Sequence, residues 1–373
     1  MAKKVQQDAV LLEEARLAEQ RSAEALQRRI RARELLEQYE PVVYRMLDQA
    51  LRENNVSHAY LFQGPKGCLK TEAAILFAQS IFCEAGGLIH EEKLSHDQAQ
   101  TARRIAERNY GDLLFLDGYR KEAISMDEVA SLQSLFSRTS IEKSDNKVYI
   151  LDHAENSSIG AMNSLLKFLE EPTENVFAVL TVDNVERILP TILSRCVVLP
   201  FRALSKEVYE TLMRDEGLDE EDIYLLKNIC NTTFGFADIA AGRAYQTAKN
   251  MLKQFIGAQG DPRLFLVDYE VRYRLRPKDM DGDDKTSSAR DANLDVLMMF
   301  FGMLIGFYKD VIRRASDGPA WYSNAVRNAY IKEKVNYAVL AGIVVEERDR
   351  VNRNNDLNLL LAQAVYRLEA AAL

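Results

Sequence analysis

The stretch that decides the fold runs from Asn146 to Phe201 and reads NKVYILDHAENSSIGAMNSLLKFLEEPTENVFAVLTVDNVERILPTILSRCVVLPF. It holds two apolar runs, Val148–Leu151 and Val176–Val182, with a helical pattern between them. Strand-like runs that alternate with helices predict a parallel sheet joined by crossover connections. The stretch closes with Ser194-Arg195-Cys196 and a last short apolar run, Val197–Leu199. We therefore predict a parallel α/β domain.

A phosphate-binding turn is predicted upstream of this stretch. The strand-like run His58–Gln63 leads into GPKGCLKT, residues 64–71, and then into the apolar helix Glu72–Cys83. In such a turn, backbone N–H groups and the helix N-terminus face an anion. The candidate nucleotide-binding residues are Gly64, Gly67, Lys70, which would reach the outer phosphates, and Thr71, which would reach a magnesium ion.

The turn departs from the pattern G-x-x-x-x-G-K-[ST] because Leu69 stands where the second glycine is required. That position needs an unusual backbone angle and a close approach to phosphate, and a branched side chain opposes both. Two interpretations stay open. The loop retains ATP and magnesium binding, or it is a vestigial loop that serves the fold alone.

A second departure follows the strand Lys147–Asp152. Asp152 ends this strand, where an aspartate holds the water shell of the magnesium ion. Active ATPases of this kind usually place a glutamate next, to orient the attacking water, whereas this chain has His153. Glu155 is expected to point elsewhere if the segment turns into a helix. Because Leu69 and His153 fall on the two motifs that do the chemistry, we predict that this chain does not hydrolyse ATP.

Composition excludes several other classes. The net charge is −8, with no basic excess of the kind a dedicated nucleic-acid binder carries, so the chain is not expected to bind DNA by itself. No run of eighteen apolar residues exists, so we expect no membrane span. The four cysteines lie far apart, without a C-x-x-C pair, and predict neither a zinc site nor a disulfide framework. A reduced, cytoplasmic protein is expected.

Four motifs carry a family resemblance: HAYLFQGPKG (58–67), KVYILDHAE (147–155), NSLLKFLEEPTENVFAVLT (163–181) and LPTILSRC (189–196). In this order they resemble the AAA+ clamp-loader family, and LLKFLEEP followed by LPTILSRC is the most specific part. The resemblance implies a fold of class α/β plus all-α. It comprises an AAA+ P-loop domain over 41–202, a small helical lid over 203–250 and a helical collar or oligomerisation domain over 251–373. Residues 1–40 are predicted to be an N-terminal helical extension outside the resemblance.

Within the helical part, Ala237–Asn250 and Met251–Ala258 are predicted as separate helices, and Ala320–Glu346 as one continuous helix. Family members commonly carry a four-cysteine zinc module after the P-loop helix. Cys83 stands at the place of its first cysteine, and Glu84–Asp112 contains no other cysteine. The resemblance therefore implies a module that has lost its zinc.

The resemblance assigns the chemistry to Arg195. In the family, the Ser-Arg-Cys motif supplies an arginine in trans to the ATP site of the adjacent subunit. The implied partners are gamma/tau-like ATPase subunits, delta-like subunits, the sliding clamp and primer-template DNA. The simpler alternative is that Arg195 pairs with Glu170 or Glu171 of its own chain.

Two functions remain open on the sequence. The first is a non-hydrolysing clamp-loader subunit that presents Arg195 to a neighbour and requires no cofactor of its own. The second is an ATP-hydrolysing AAA+ loader or remodelling subunit that acts with its own P-loop. A P-loop transferase is disfavoured by the long helical C-terminal block.

Overall fold

The computed structural model describes residues 31–372, apart from 90–93, 119–123, 127–128, 130–140, 143, 171–173, 231, 258–261, 280–284, 332–334 and 352–354. The chain divides into two compact units, Met1–Leu204 and Ser205–Leu373. Of the predicted N-terminal extension, residues 1–30 lie outside the described part. Residues 31–39 are helical, and Ala32, Leu35 and Leu36 are buried.

The first unit is built on a parallel sheet. Within the described part of the chain, five strands lie in the order β2-β3-β4-β1-β5, and every neighbouring pair is parallel. The strands are β1 (Ala59–Gln63), β2 (Leu113–Asp117), β3 (Lys147–Asp152), β4 (Val176–Val182) and β5 (Val197–Pro200). The predicted parallel α/β domain is confirmed.

Helices connect and cover these strands. They are α1 (Pro41–Arg52), α2 (Lys70–Phe82), α3 (His96–Ala106), α4 (Ile159–Glu170) and the single-turn α5 (Pro190–Leu193). All six residues of β3 are buried, as expected for a strand in a parallel sheet that is covered on both faces. Helix α2 packs on β1, β3 and β4, and α4 adds Ala161, Met162, Leu165 and Leu169 to the core beneath the sheet.

The strand register brings three loops to one edge of the sheet. Gln63 at the end of β1 pairs with Val182 at the end of β4. Leu151 of β3 pairs with Leu180 of β4. Because these strands are parallel and adjacent, the residues after their carboxyl ends meet at the same edge: the turn at Gly64, the segment from His153 and Asp183.

The described residues of the second unit form helices joined by turns and loops, without a strand. Its helices are α6 (Lys206–Asp215), α7 (Glu220–Leu226), α8 (Phe236–Ala241), α9 (Arg243–Gly257), α10 (Pro262–Asp268), α11 (Lys285–Arg313), α12 (Ala320–Tyr330), α13 (Tyr337–Asp349) and α14 (Leu357–Ala372), with a π-helical turn at Tyr269–Tyr273 and a 3-10 turn at Pro277–Asp279. Buried aromatic side chains such as Tyr245, Phe300 and Tyr322 fill its core.

Two predicted helix boundaries are wrong. No break separates Asn250 from Met251, because α9 is continuous and buries Ala248, Met251 and Leu252. The chain breaks earlier, at Gly242, whose ψ of 140° is extended. The predicted boundary between lid and collar at residue 250 stays a prediction, and it falls within this helix.

The single helix predicted over 320–346 is two helices. The second begins after Asn336, whose side chain accepts a hydrogen bond from the Val339 N–H and so favours a helix start at that point. Over the described residues, no helix is both long enough and apolar enough to cross a membrane.

Candidate functional site

The turn after β1 is shaped by two glycines. Gly64 lies close to Phe201, the residue that follows β5. A Cβ added at Gly64 would fall 2.7 Å from the Phe201 carbonyl oxygen and 2.9 Å from Cys68 Sγ. Gly67 takes a φ of +74°, the left-handed region that glycine adopts without steric cost. The two candidate glycines are therefore required by the geometry of the turn itself.

Leu69 avoids the unusual backbone angle expected at its position. Its φ is −74° and ψ is 23°, and its side chain is 1% exposed, so it serves as an apolar anchor at the N-terminus of α2. The N–H of Lys70 donates to the Cys68 carbonyl at 2.9 Å. One backbone donor of the turn is thus used within the turn rather than directed to an anion.

Lys70 is held by groups of its own chain. Its side chain is 3% exposed and forms an ion pair with Asp183 at 2.6 Å. Its ammonium also donates to the Pro65 carbonyl at 3.0 Å and to the Gly64 carbonyl. A triphosphate at this turn would have to displace the Asp183 carboxylate before Lys70 could reach it. In this arrangement the lysine of the turn is engaged by groups of its own chain.

Asp152 and Thr71 meet as the motifs predict. The Thr71 hydroxyl donates to Asp152 Oδ1 at 2.8 Å, and the Thr181 hydroxyl donates to the same oxygen at 2.5 Å. The oxygens proposed for magnesium thus lie together beside α2. The hydrogen bond from Thr71 to Asp152 connects the N-terminus of α2 to the end of β3.

The segment after β3 bends at His153 and forms a short helical turn. His153 takes the left-handed conformation, with φ 54° and ψ 54°, and its N–H donates to the Thr181 hydroxyl at 3.0 Å. This bend starts a 3-10 turn, Ala154–Asn156, that directs Glu155 inward. Glu155 is 6% exposed, and its Oε1 accepts the Asp183 N–H at 2.9 Å. Glu155 therefore points inward to Asp183, and the left-handed conformation of His153 is the reason.

Sequence reasoning missed Asp183. Together His153, Glu155 and Asp183 place one potential metal-binding atom each within 4.8 Å of one another. The available signal was the position of Asp183 directly after a predicted parallel strand. The carboxyl ends of such strands collect polar groups from distant parts of the chain.

Arg195 lies at the amino-terminal end of the parallel strands, whereas the P-loop turn lies at their carboxyl-terminal end. It follows α5 and precedes Val197, which pairs with Tyr60 near the start of β1, whereas the turn at Gly64 follows the end of β1. A five-residue strand such as β1 separates the two edges by about 13 Å, at about 3.3 Å per residue. Arg195 therefore lies far from its own chain's P-loop turn.

The Arg195 guanidinium is held loosely. It forms an ion pair with Glu170 at 2.8 Å, and it donates to the Thr191 carbonyl at 2.9 Å and to the Ser194 hydroxyl at 3.3 Å. The arginine side chain is 33% exposed and the glutamate 50% exposed. The predicted pairing with Glu170 is thus present, and Glu171 lies outside the described residues. A surface pair of this kind contributes about 0–1 kcal/mol and exchanges readily for another anion.

Cys68 and Cys196, the cysteines near these sites, stay protonated at neutral pH. Burial raises the pKa of the Cys68 thiol to about 11, an effect that Lys70 only partly opposes. Burial likewise raises the pKa of Cys196 to about 12. Cys83 is buried, and its Sγ donates to the Gln98 carbonyl at 3.5 Å. Because the thiolate is the reactive form of cysteine, these shifts make Cys68 and Cys196 poor nucleophiles at neutral pH.

The sheet order, the turn after β1 and the helical second unit define an AAA+ type module. Residues 39–205 match the family described as "DNA polymerase III, delta subunit". The DNA polymerase III subunit delta' of Bacillus subtilis is 37% identical over 198 residues, which is 52% of this chain and 57% of that protein. The DNA polymerase III subunit tau of the same organism is 29% identical over 221 residues, 59% of this chain and 37% of that protein.

Residues 39–205 are thus similar to the DNA polymerase III clamp-loader family, and to its delta' subunit among the relatives named here. The resemblance stated for the motifs is confirmed over this part. The chain spans little more than half the length of the delta' relative and about a third of the tau relative. A solved DNA polymerase III gamma subunit-related protein of Thermotoga maritima matches 88% of this chain and 99% of its own, with a TM-score of 0.44 at 14% identity, and adds nothing to the assignment.

Proposed function

We propose that this chain is a non-hydrolysing, delta-prime-like subunit of the DNA polymerase III clamp loader. In this role it supplies Arg195 in trans to the ATP site of a neighbouring ATPase subunit while the complex loads the sliding clamp on primed DNA. The observation that carries the proposal is the position of Arg195, partly exposed at the end of the sheet opposite its own P-loop turn.

The state of the chain's own turn supports the non-hydrolysing half of the proposal. Lys70 is buried against Asp183, and the position after Asp152 is a histidine rather than a carboxylate. Hydrolysis requires a group that orients water in line with the γ-phosphate. Glu155, the nearest following carboxylate, is buried and accepts the Asp183 N–H.

The chemistry of arginine supports the other half. A guanidinium stays charged and donates two parallel hydrogen bonds to phosphoryl oxygens, and fingers of this kind raise the hydrolysis rate by about 10³–10⁵. The neighbour's triphosphate would replace Glu170 as the partner of Arg195. Breaking the ion pair with Glu170 costs about 1 kcal/mol or less, so Arg195 can exchange Glu170 for the neighbour's triphosphate at a small cost in free energy.

The partners follow from the same role. We propose gamma/tau-like ATPase subunits and delta-like subunits as direct neighbours, and the clamp and primer-template DNA as partners of the whole complex. The net charge of −8 supports DNA contact through the assembly rather than through this chain alone.

The test is the DNA-stimulated ATPase rate of a complex reconstituted from this chain and its ATPase and delta-like partners. Arg195→Ala should lower the rate without preventing assembly, as judged by size-exclusion chromatography. The matched control is Arg187→Ala, which removes an exposed arginine from the 3-10 turn Val185–Arg187 and should leave the rate unchanged. An unchanged rate in an assembled Arg195→Ala complex overturns the proposal.

A further inference from the structure

We propose that His153, Glu155 and Asp183 bind one divalent transition-metal ion of the Zn²⁺ class. This site is independent of the role proposed for Arg195 and is distinct from magnesium held with a nucleotide. It also differs from the four-cysteine module, for which the sequence predicts a loss of zinc. The metal would lie at the carboxyl edge of the sheet, beside the P-loop turn.

The fold brings the three side chains together from two adjacent strands. His153 and Glu155 follow β3, and Asp183 follows β4. Their potential ligand atoms lie within 4.8 Å of one another. Donors bound to zinc at 2.0–2.1 Å in a tetrahedron are about 3.3 Å apart, so a pair of atoms at the 4.8 Å limit has to close by about 1.5 Å through side-chain rotation.

Glu155 is the independent indication that the cluster needs a ligand. The residue is 6% exposed, and its Oε2 atom is buried without a hydrogen-bond partner among the described residues. Its other oxygen is fixed by the Asp183 N–H at 2.9 Å, which orients the carboxylate within the cluster. A buried carboxylate oxygen without a partner is costly, and a bound cation would compensate it.

The donor set selects the class of ion. One imidazole nitrogen and two carboxylate oxygens suit Zn²⁺ and neighbouring first-row divalent ions better than Mg²⁺ or Ca²⁺, which prefer oxygen ligands alone. Three protein ligands leave a fourth position for water.

Lys70 provides a way to distinguish this site from a nucleotide site. Its ammonium pairs with Asp183 through Oδ1 at 2.6 Å, so it competes with a metal for the charge of that carboxylate. Lys70→Met should therefore tighten metal binding, because it removes the competing cation. The same change would weaken binding of magnesium with a triphosphate, for which the P-loop lysine is a favourable partner.

The experiment uses metal-free full-length protein without an affinity tag. Isothermal titration with Zn²⁺ should give one equivalent, and Co²⁺ should give a d–d absorption band. Loss of a second-shell partner already costs about 10–100-fold in metal affinity, so Glu155→Gln should weaken binding by at least about 100-fold. Glu186→Gln changes an exposed glutamate in the nearby 3-10 turn and should bind as tightly as the wild type.

His153→Gly is a second ligand variant, chosen in case Glu155→Gln fails to fold. Glycine accepts the φ of 54° at this position more easily than histidine, so this variant should fold at least as well while losing the imidazole ligand. It should bind the metal at least about 100-fold more weakly. The proposal is overturned if wild-type protein shows no saturable binding, or if Glu155→Gln and His153→Gly bind as the wild type does. Weaker binding in Lys70→Met would also overturn it.

Discussion

The ion pair between Lys70 and Asp183 should be a principal support of the first unit rather than a catalytic element. Removing one partner of a fully buried pair costs about 3–5 kcal/mol, whereas a surface pair contributes about 0–1 kcal/mol. Lys70 is 3% exposed and Asp183 is 15% exposed. We therefore expect Lys70→Met to lower the free energy of unfolding by about 3 kcal/mol, the lower end of the buried range.

A double-mutant cycle isolates the pair. Asp183→Asn alone also leaves a buried partner uncompensated, whereas the double variant Lys70→Met/Asp183→Asn leaves two neutral side chains. The double variant should be less destabilised than the sum of the single variants by about 2 kcal/mol or more. The measurements are made in the presence of a chelator, so that metal binding does not contribute.

Native-state hydrogen exchange of β1 reports on the first unit. A loss of about 3 kcal/mol should speed exchange in this strand about 100-fold. The fluorescence of Trp321, the single tryptophan, follows the second unit and should show an unchanged unfolding transition. If Lys70→Met leaves exchange in β1 unchanged, or if the two single changes are additive, the lysine is not held as described here.

Two further predictions concern the turn and the thiols. Gly64→Ala should destabilise the first unit by about 1–3 kcal/mol, because its Cβ would lie 2.7 Å from the Phe201 carbonyl oxygen, and thermal unfolding checks this. The matched control in the same unit is Gly160→Ala, whose added Cβ would lie 3.6 Å from its nearest neighbour among the described residues. A Gly64→Ala variant as stable as the control would contradict the close approach. Cys68 and Cys196, with pKa values raised to about 11 and about 12, should resist a thiol reagent at pH 8 until the chain unfolds. Because the unfolded thiols ionise first, the stability they contribute is present in full below about pH 8.5 and is lost as the pH rises toward the folded values. Rapid labelling of Cys68 in the native protein would contradict its burial, and rapid labelling of the partly buried Cys196 would contradict its raised pKa.

The sequence predicted the features that depend on local pattern. Apolar runs separated by helices identified the parallel sheet. The two nucleotide-binding motifs assigned Thr71 and Asp152 to one magnesium position, and the structure brings them together although 81 residues separate them along the chain. The same local reasoning predicted a single helix over 320–346 and missed the break before Asn336, because propensity there favours helix on both sides.

The distant contacts that no sequence motif marks were missed. The partner of Lys70 lies 113 residues away along the chain, so no motif connects them. The inward direction of Glu155 depends on the left-handed conformation of His153, and a histidine in a sequence gives no sign of that angle. Leu69 was expected to strain the turn, yet the turn places its left-handed residue at Gly67 and uses Leu69 as an anchor.

In the proposed role, Arg195 acts on a neighbour's ATP while this chain hydrolyses none. The most direct measurement is the burst of ATP hydrolysed per reconstituted complex in a single turnover on primed DNA. The wild-type complex should release one phosphate for each ATPase partner subunit and none for this chain, and the Arg195→Ala complex should release one fewer in the fast phase. A burst that counts an extra ATP for this chain, or an Arg195→Ala complex with the full fast amplitude, would contradict the account.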